Sequence, residues 1–310
     1  MNSTFPLSST KLAKFKRQVE KANIEYCQVY QRGEVLFTHS RHPGSAVELH
    51  KMNSITKSVL SLLIGIAMDR GELGTVHTSI AEFLPGARKY AKDSLTLEHL
   101  LTMTPGIEWL EMGDWGGKPY PMMNSEDWVE FVLTRPTIDP PGTLMIYNSG
   151  CSHLLSAILQ QATGLKAAEY AERHLFGPLG IADYYWPADP DGINIGGFGL
   201  ELDSADLLKL GRLMLDKGRW NNAQIVSENW VEMSTLPRYH TYSHIGSYAY
   251  HWWVMSDDDL HPSEPYTYFA MGYGGQNIYI VPEHECVVTF AANLYKDTFH
   301  TYRLFKELIL

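Results

Sequence analysis

The chain is poor in several features that mark large functional classes. Its 310 residues include only three cysteines, Cys27, Cys151 and Cys286. They are odd in number and far apart, which excludes a disulfide-stapled small fold, and no C-x-x-C pair offers zinc ligands. Basic residues are also scarce, with 25 Lys and Arg against 35 Asp and Glu and a formal net charge of -10. Phosphate binding rests on clustered Lys and Arg, so nucleic acid is not an expected partner. No apolar run reaches the ~18–20 residues that a bilayer-spanning helix needs. The opening MNSTFPLSSTKLAKFKRQVEKAN has no apolar leader core followed by a processing site. Leu12, Phe15 and Val19 instead recur at helical spacing among Lys11, Lys14, Lys16 and Arg17, as on a surface helix packed against the body. A cytoplasmic protein without membrane contact is the expectation, and the oligomeric state stays open.

Nucleotide and metal motifs are missing as well. The sequence holds no G-x-S-x-G, no G-x-x-x-x-G-K-[ST], no G-x-G-x-x-G and no H-E-x-x-H. His240 and His244 are four apart, but their segment PRYHTYSHIGS does not read as a helix, so they are expected to be loop histidines.

What the chain does have is core material: 45% of it is hydrophobic, enough for one large core or two smaller ones. Residues 26–38 read as a hairpin turning at Arg32-Gly33. Ser54 to Asp69 is the clearest helix, apolar almost all round and therefore central, with Arg70-Gly71 as its stop. Further helices are expected over Ser94–Met103, Gly150–Ala162, Asp203–Leu215 and Phe299–Leu310. The long Gly-, Pro- and Trp-rich stretch Thr104–Asn124 is expected to be a loop lining a site. Strands are expected over Tyr248–Met255, 266–271, 276–281 and 285–292. The simplest assembly pairs the N-terminal hairpin with the C-terminal strands in one antiparallel sheet. Residues 1–70 and 236–310 then form an α/β region, residues 71–235 a mainly helical insertion, and the site lies in the cleft between them.

Ser54 and Lys57 stand three apart at the first turn of the central helix, on one face. A serine hydroxyl needs a base to become a nucleophile, and a buried lysine with a lowered pKa can be that base. The helix N-terminus also presents free N–H groups to a developing oxyanion. The plainer reading is an N-cap serine beside a lysine that extends to solvent. S-x-x-K also occurs at Ser8–Lys11, in a polar setting that suggests no chemistry.

Around these residues, MNSITKSVLSLLIGIAMDRGELG and LTLEHLLTMTPGIEW resemble the superfamily of serine beta-lactamases, penicillin-binding proteins and related esterases. The class C-type branch, with its esterases and 6-aminohexanoate-dimer hydrolases, is the most similar. Tyr147-Asn148-Ser149 matches the family's Y-x-S form of the second motif, and Gly272 of Ala270-Met271-Gly272 stands at the third. The resemblance spans about residues 20–305 and implies a beta-lactamase/transpeptidase-like α+β fold: a central antiparallel sheet flanked by helices, with a large helical insertion. It implies that Ser54 is the acylated nucleophile. Lys57 would be its proton acceptor, or the cation that keeps Tyr147 ionised. Tyr147 would move a proton to the leaving group, and Ser149 would hydrogen-bond in the pocket or cap a helix. The amides of Ser54 and Tyr273 would form the oxyanion hole. Such chemistry uses no metal and no organic cofactor.

The third motif lacks its Lys or His, which makes efficient beta-lactam hydrolysis doubtful and leaves small esters and linear amides as the expected substrates. A catalytically silent sensor domain and a true beta-lactamase or DD-peptidase remain the alternatives. Trp109, Trp115, Tyr120, Gly272 and Gly274 are the candidate substrate-binding positions. Trp186, Trp252 and Trp253 are candidates for core or pocket, and His251 is a further polar residue beside them. Glu108, Glu111 and Asp114 are either solvated loop charges or receivers of a substrate amine.

Overall fold

The structure, a computed structural model, describes residues 7–309. Its centre is an eight-stranded antiparallel sheet in the order Glu34–Ser40, Ile24–Gln31, Cys286–Ala292, Gln276–Val281, Tyr268–Gly272, Trp253–Val254, Gly246–Tyr248, Tyr239–Tyr242. The N-terminal hairpin joins the C-terminal strands through Ile24–Gln31 beside Cys286–Ala292, with Val29 opposite Val288. Its turn uses positive φ at Arg32 and Gly33.

Every residue of Gln276–Val281 and Cys286–Ala292 is buried, because helices cover both faces of the sheet. Successive strand residues point to opposite faces. On one face lie the terminal helices Ser9–Lys21 and His300–Ile309: Phe15 meets Phe290 edge-on at 5.9 Å and Phe305 stacks on Tyr279 at 4.0 Å. On the other lies Leu207–Leu215, part of the stretch 71–235 yet seated on the sheet. Its Gly211 permits the approach, since a Cβ there would come within 2.5 Å of Val287. Ser8 caps the first helix by accepting from the Lys11 amide, so the S-x-x-K at 8–11 is a structural motif.

The central helix, Ile55–Asp69, is buried on all sides from Ile55 to Ala67. Its interior hydroxyls are satisfied: Ser58 and Ser61 donate to the carbonyls of His251 and Tyr250, each at 2.7 Å. Gly65 faces the buried Trp230 ring, and an added Cβ would stand 2.3 Å from it. Overpacking of this kind costs about 1–3 kcal/mol. Gly65→Ala is therefore expected to lower the urea midpoint, although alanine is the better helix former. An unchanged or higher midpoint would show that Trp230 yields freely.

Several expectations need correction. The strand expected over Tyr248–Met255 is two short antiparallel strands, Gly246–Tyr248 and Trp253–Val254. The chain reverses between them through His251 at φ 59. No glycine or proline marks this reversal; it is held by the His251 amide donating to Leu101 O and by the buried Trp252. The helix expected from Asp203 begins at Leu207, because Glu201–Asp203 pairs with Leu49–Lys51 in a second, three-stranded sheet. The helix expected over Ser94–Met103 is only Leu97–Leu101, capped by Thr96. The loop 104–124 contains the turn of helix Tyr120–Met123. His240 lies on a strand, and among the described residues no cluster of His, Cys, Asp and Glu could hold a metal ion. No described helix is long and apolar enough to cross a membrane.

Candidate active site

Three elements meet at the start of the central helix. The strand Tyr268–Gly272 arrives first. Asn53, in a left-handed conformation with φ 48, ties it down by donating from Nδ2 to Tyr273 O at 2.6 Å. Ser54 follows in the N-cap position, but its hydroxyl makes no capping bond. The hydroxyl is therefore not consumed by the helix end.

Lys57 is 2% exposed. Its Nζ lies 3.3 Å from Ser54 Oγ, 3.1 Å from Ser149 Oγ and 2.6 Å from the carbonyl of Gly197. Burial lowers its pKa to about 8, while the negative charge of Glu111 acts in the opposite direction. Tyr147 stands on the far side, its ring centroid 4.8 Å from Lys57 Nζ. That ring is held by stacking on Trp253 at 6.0 Å and by the edge of Tyr248. Burial pushes the Tyr147 phenol up and the Glu111 charge adds to the rise, while a hydrogen bond with Ser54 offsets part of it. The phenol therefore rests protonated.

Ser149 opens the helix Ser149–Thr163; the cap itself is Asn148, whose side chain accepts from the Cys151 amide. The Ser149 hydroxyl is free of capping and donates to Glu111 Oε1 at 2.6 Å, while its amide donates to Oε2 at 2.7 Å. Trp109 Nε1 donates to the same Oε2 at 2.8 Å. Glu111 is thus a buried carboxylate held by three donors beneath Ser149 and Lys57.

The structure brings together Ser54, Lys57, Tyr147, Ser149 and Gly272. A Cβ on Gly272 would stand 2.3 Å from Met52 O and 3.2 Å from Ser54 N, so glycine is what lets this strand end approach the helix. Tyr273 follows with an exposed side chain, its carbonyl already engaged by Asn53. Trp109 is buried against Trp115 and Phe131 and walls a cavity of about 250 Å3 beside Tyr147. Trp115 packs behind it. Tyr120 is exposed with Lys118 over its ring, and neither residue lines the cavity. Gly274, at φ 86, serves the turn: its amide donates to Thr298, and a Cβ would strike Tyr295. Trp186 is core, donating to Ile195 O. His251 is buried, with Nε2 on Ser152 Oγ and a pKa lowered to about 3, mainly by burial and further by Lys57.

Sequence reasoning did not single out the Gly197 carbonyl or the buried role of Glu111. The adjacent glycines Gly196-Gly197 were the available sign: a Cβ on Gly196 would sit 2.0 Å from Ser152 O. Glu111 gave no sign, because its partners Ser149 and Lys57 are distant in sequence.

The beta-lactamase family profile matches residues 26–307. The 6-aminohexanoate-dimer hydrolase of Paenarthrobacter ureafaciens is 23% identical, over 90% of this chain and 75% of its own length. A class C beta lactamase from Rhodobacter sphaeroides superposes with a TM-score of 0.72 at 18% identity, covering 98% of this chain and all of that one. EstCE1, a hydrolase with promiscuous acyltransferase activity, superposes at 0.74 with 14% identity, covering 97% of each chain. The chain therefore belongs to the beta-lactamase family and is a serine hydrolase related to 6-aminohexanoate-dimer hydrolase.

Proposed function

We propose that the protein cleaves small esters or linear amides through an acyl-enzyme on Ser54, in the cleft between the region 1–70 with 236–310 and the mainly helical stretch 71–235. The hydrogen-bond inventory around Lys57 is the observation that carries this reading. A neutral amine has two hydrogens and one lone pair. One hydrogen goes to Gly197 O, and the other to Ser149 Oγ, whose own proton is committed to Glu111. The lone pair is left for the Ser54 hydroxyl at 3.3 Å. With a pKa of about 8, roughly a tenth of Lys57 is neutral at pH 7.

In acylation, Ser54 Oγ bonds to the substrate carbonyl carbon and its proton passes to Lys57 Nζ. The oxyanion is received by the amides of Ser54 and Tyr273. As the carbon–leaving-group bond breaks, Tyr147 gives its phenolic proton to the departing atom and is reprotonated from the Lys57 ammonium. Water then repeats the sequence in reverse roles. The raised pKa of Tyr147 favours this assignment over one in which Lys57 keeps a resting phenolate. Ala270 stands where the family's third motif carries Lys or His, so a chromogenic cephalosporin is expected to turn over far more slowly than an ester.

The test is the pH dependence of kcat/KM on a short-chain nitrophenyl ester. Lys57 must be neutral to accept a proton, so activity should rise with pH and level off above about 8. In Glu111→Gln the opposing negative charge is gone, and the ascending limb should move to lower pH. A limb that stays in place would remove Glu111 from the electrostatics, and a protein that releases no nitrophenol would defeat the hydrolase reading.

A further inference from the structure

The cavity beside Tyr147 has a composition that bears on what it accepts. Trp109, Leu110, Met112, Met145, Tyr147 and Tyr242 provide most of its wall, and no Lys, Arg, Asp or Glu side chain is part of it. Two of its polar groups are already engaged, since Trp109 Nε1 donates to Glu111 and Thr241 Oγ1 donates to Gly246 O, and the hydroxyls of Tyr147 and Tyr242 are uncharged. Glu111, a buried carboxylate held by three donors, is not part of the cavity wall. Glu108 and Asp114 are exposed and do not line the cavity. Leu110 and Met112 stand exposed at the mouth, so the entrance is apolar too.

Position fixes which part of the substrate reaches this space. Under the hydrolase reading, on which this inference rests, Tyr147 delivers its proton to the departing atom. The ring of Tyr147 is also a wall of the cavity. The departing group, once protonated by Tyr147, extends along that wall. The cavity, at about 250 Å3, has room for a short alkyl chain or a single ring. An ion seated there would lose its hydration without gaining a partner of opposite charge, which is costly.

We infer that the leaving group seated beside Tyr147 is an uncharged, apolar alcohol or amine, and that a charged end on this group is rejected. The relative named as a 6-aminohexanoate-dimer hydrolase has, by that name, a substrate with charged ends. This chain is expected to differ from it in that respect.

The experiment compares kcat/KM for the acetate esters of ethanol, hexan-1-ol, 2-phenylethanol, 6-aminohexan-1-ol and 6-hydroxyhexanoate, read as acid release in a pH-stat at pH 8. The hexyl and phenylethyl esters should exceed the ethyl ester at least ~10-fold. The ammonium- and carboxylate-ended esters should fall at least ~10-fold below hexyl. Met112→Asp places a carboxylate at the exposed mouth and should raise the ratio of ammonium-ended to hexyl ester several-fold. Leu110→Asp is the second variant and should act in the same direction. Equal kcat/KM across the neutral and charged esters, or an ammonium-to-hexyl ratio that neither variant moves, would overturn the inference while leaving the hydrolase reading intact. No acid release from any ester, together with no acylation of Ser54, would instead strike the hydrolase reading itself.

Discussion

Ser54→Ala is expected to reduce kcat for a nitrophenyl ester by about 10^5–10^6-fold, the loss typical of removing a catalytic nucleophile. The fold should hardly notice. An N-cap serine usually contributes about 1 kcal/mol through its bond to a helix amide, but the Ser54 hydroxyl makes no such bond. The thermal midpoint should therefore stay within the small range of substitutions that break no structural contact. This separation distinguishes the catalytic reading from the capping one: a capping serine would show the reverse, a lost midpoint and retained turnover. Residual activity close to that of the parent protein would mean that the ester is cleaved elsewhere.

Lys57→Met should also be severe, with kcat lower by about 10^2–10^4-fold, the usual worth of a positioned general base. Methionine approximates the length of the lysine stem and removes the amine. Its effect on stability carries a sign that can be checked. Burial lowers the Lys57 pKa from 10.5 to about 8 in the folded protein, so the folded state binds this proton less readily than the unfolded chain does. The wild type is fully penalised below about pH 8, and the penalty fades as pH rises towards 10.5. Lys57→Met should therefore gain stability relative to wild type at neutral pH, and the gain should shrink above pH 8. Urea midpoints of both proteins at pH 7 and pH 10 measure it. A variant that is less stable at pH 7 would indicate that the pairing of Lys57 with Glu111 outweighs its desolvation.

The parts of this site that were legible in the sequence are those encoded locally. Ser54 and Lys57 share a helix face by spacing alone, and the apolar run from Ile55 to Ala67 announced that the helix is buried. The sheet was legible because hydrophobic runs such as 276–281 and 285–292 have few alternatives to a strand covered on both faces. Glu111 was not, because a glutamate in a Gly-rich loop looks solvated until Ser149 and Trp109 arrive from other elements. The reversal at His251 was hidden for a related reason: tertiary contacts, not a turn-forming residue, bend the chain there. Tyr120 and Trp115 looked like pocket residues by composition, and only packing distinguishes Trp109, whose ring faces the cavity, from its neighbours.

The most direct measurement is intact-mass and peptide-mapping analysis of the wild-type protein and Ser54→Ala after exposure to a fluorophosphonate at pH 8. One adduct, mapped to Ser54 and missing from the variant, is the expected result. An unmodified but folded wild-type protein, or an adduct that persists in Ser54→Ala, would contradict nucleophilic attack by Ser54.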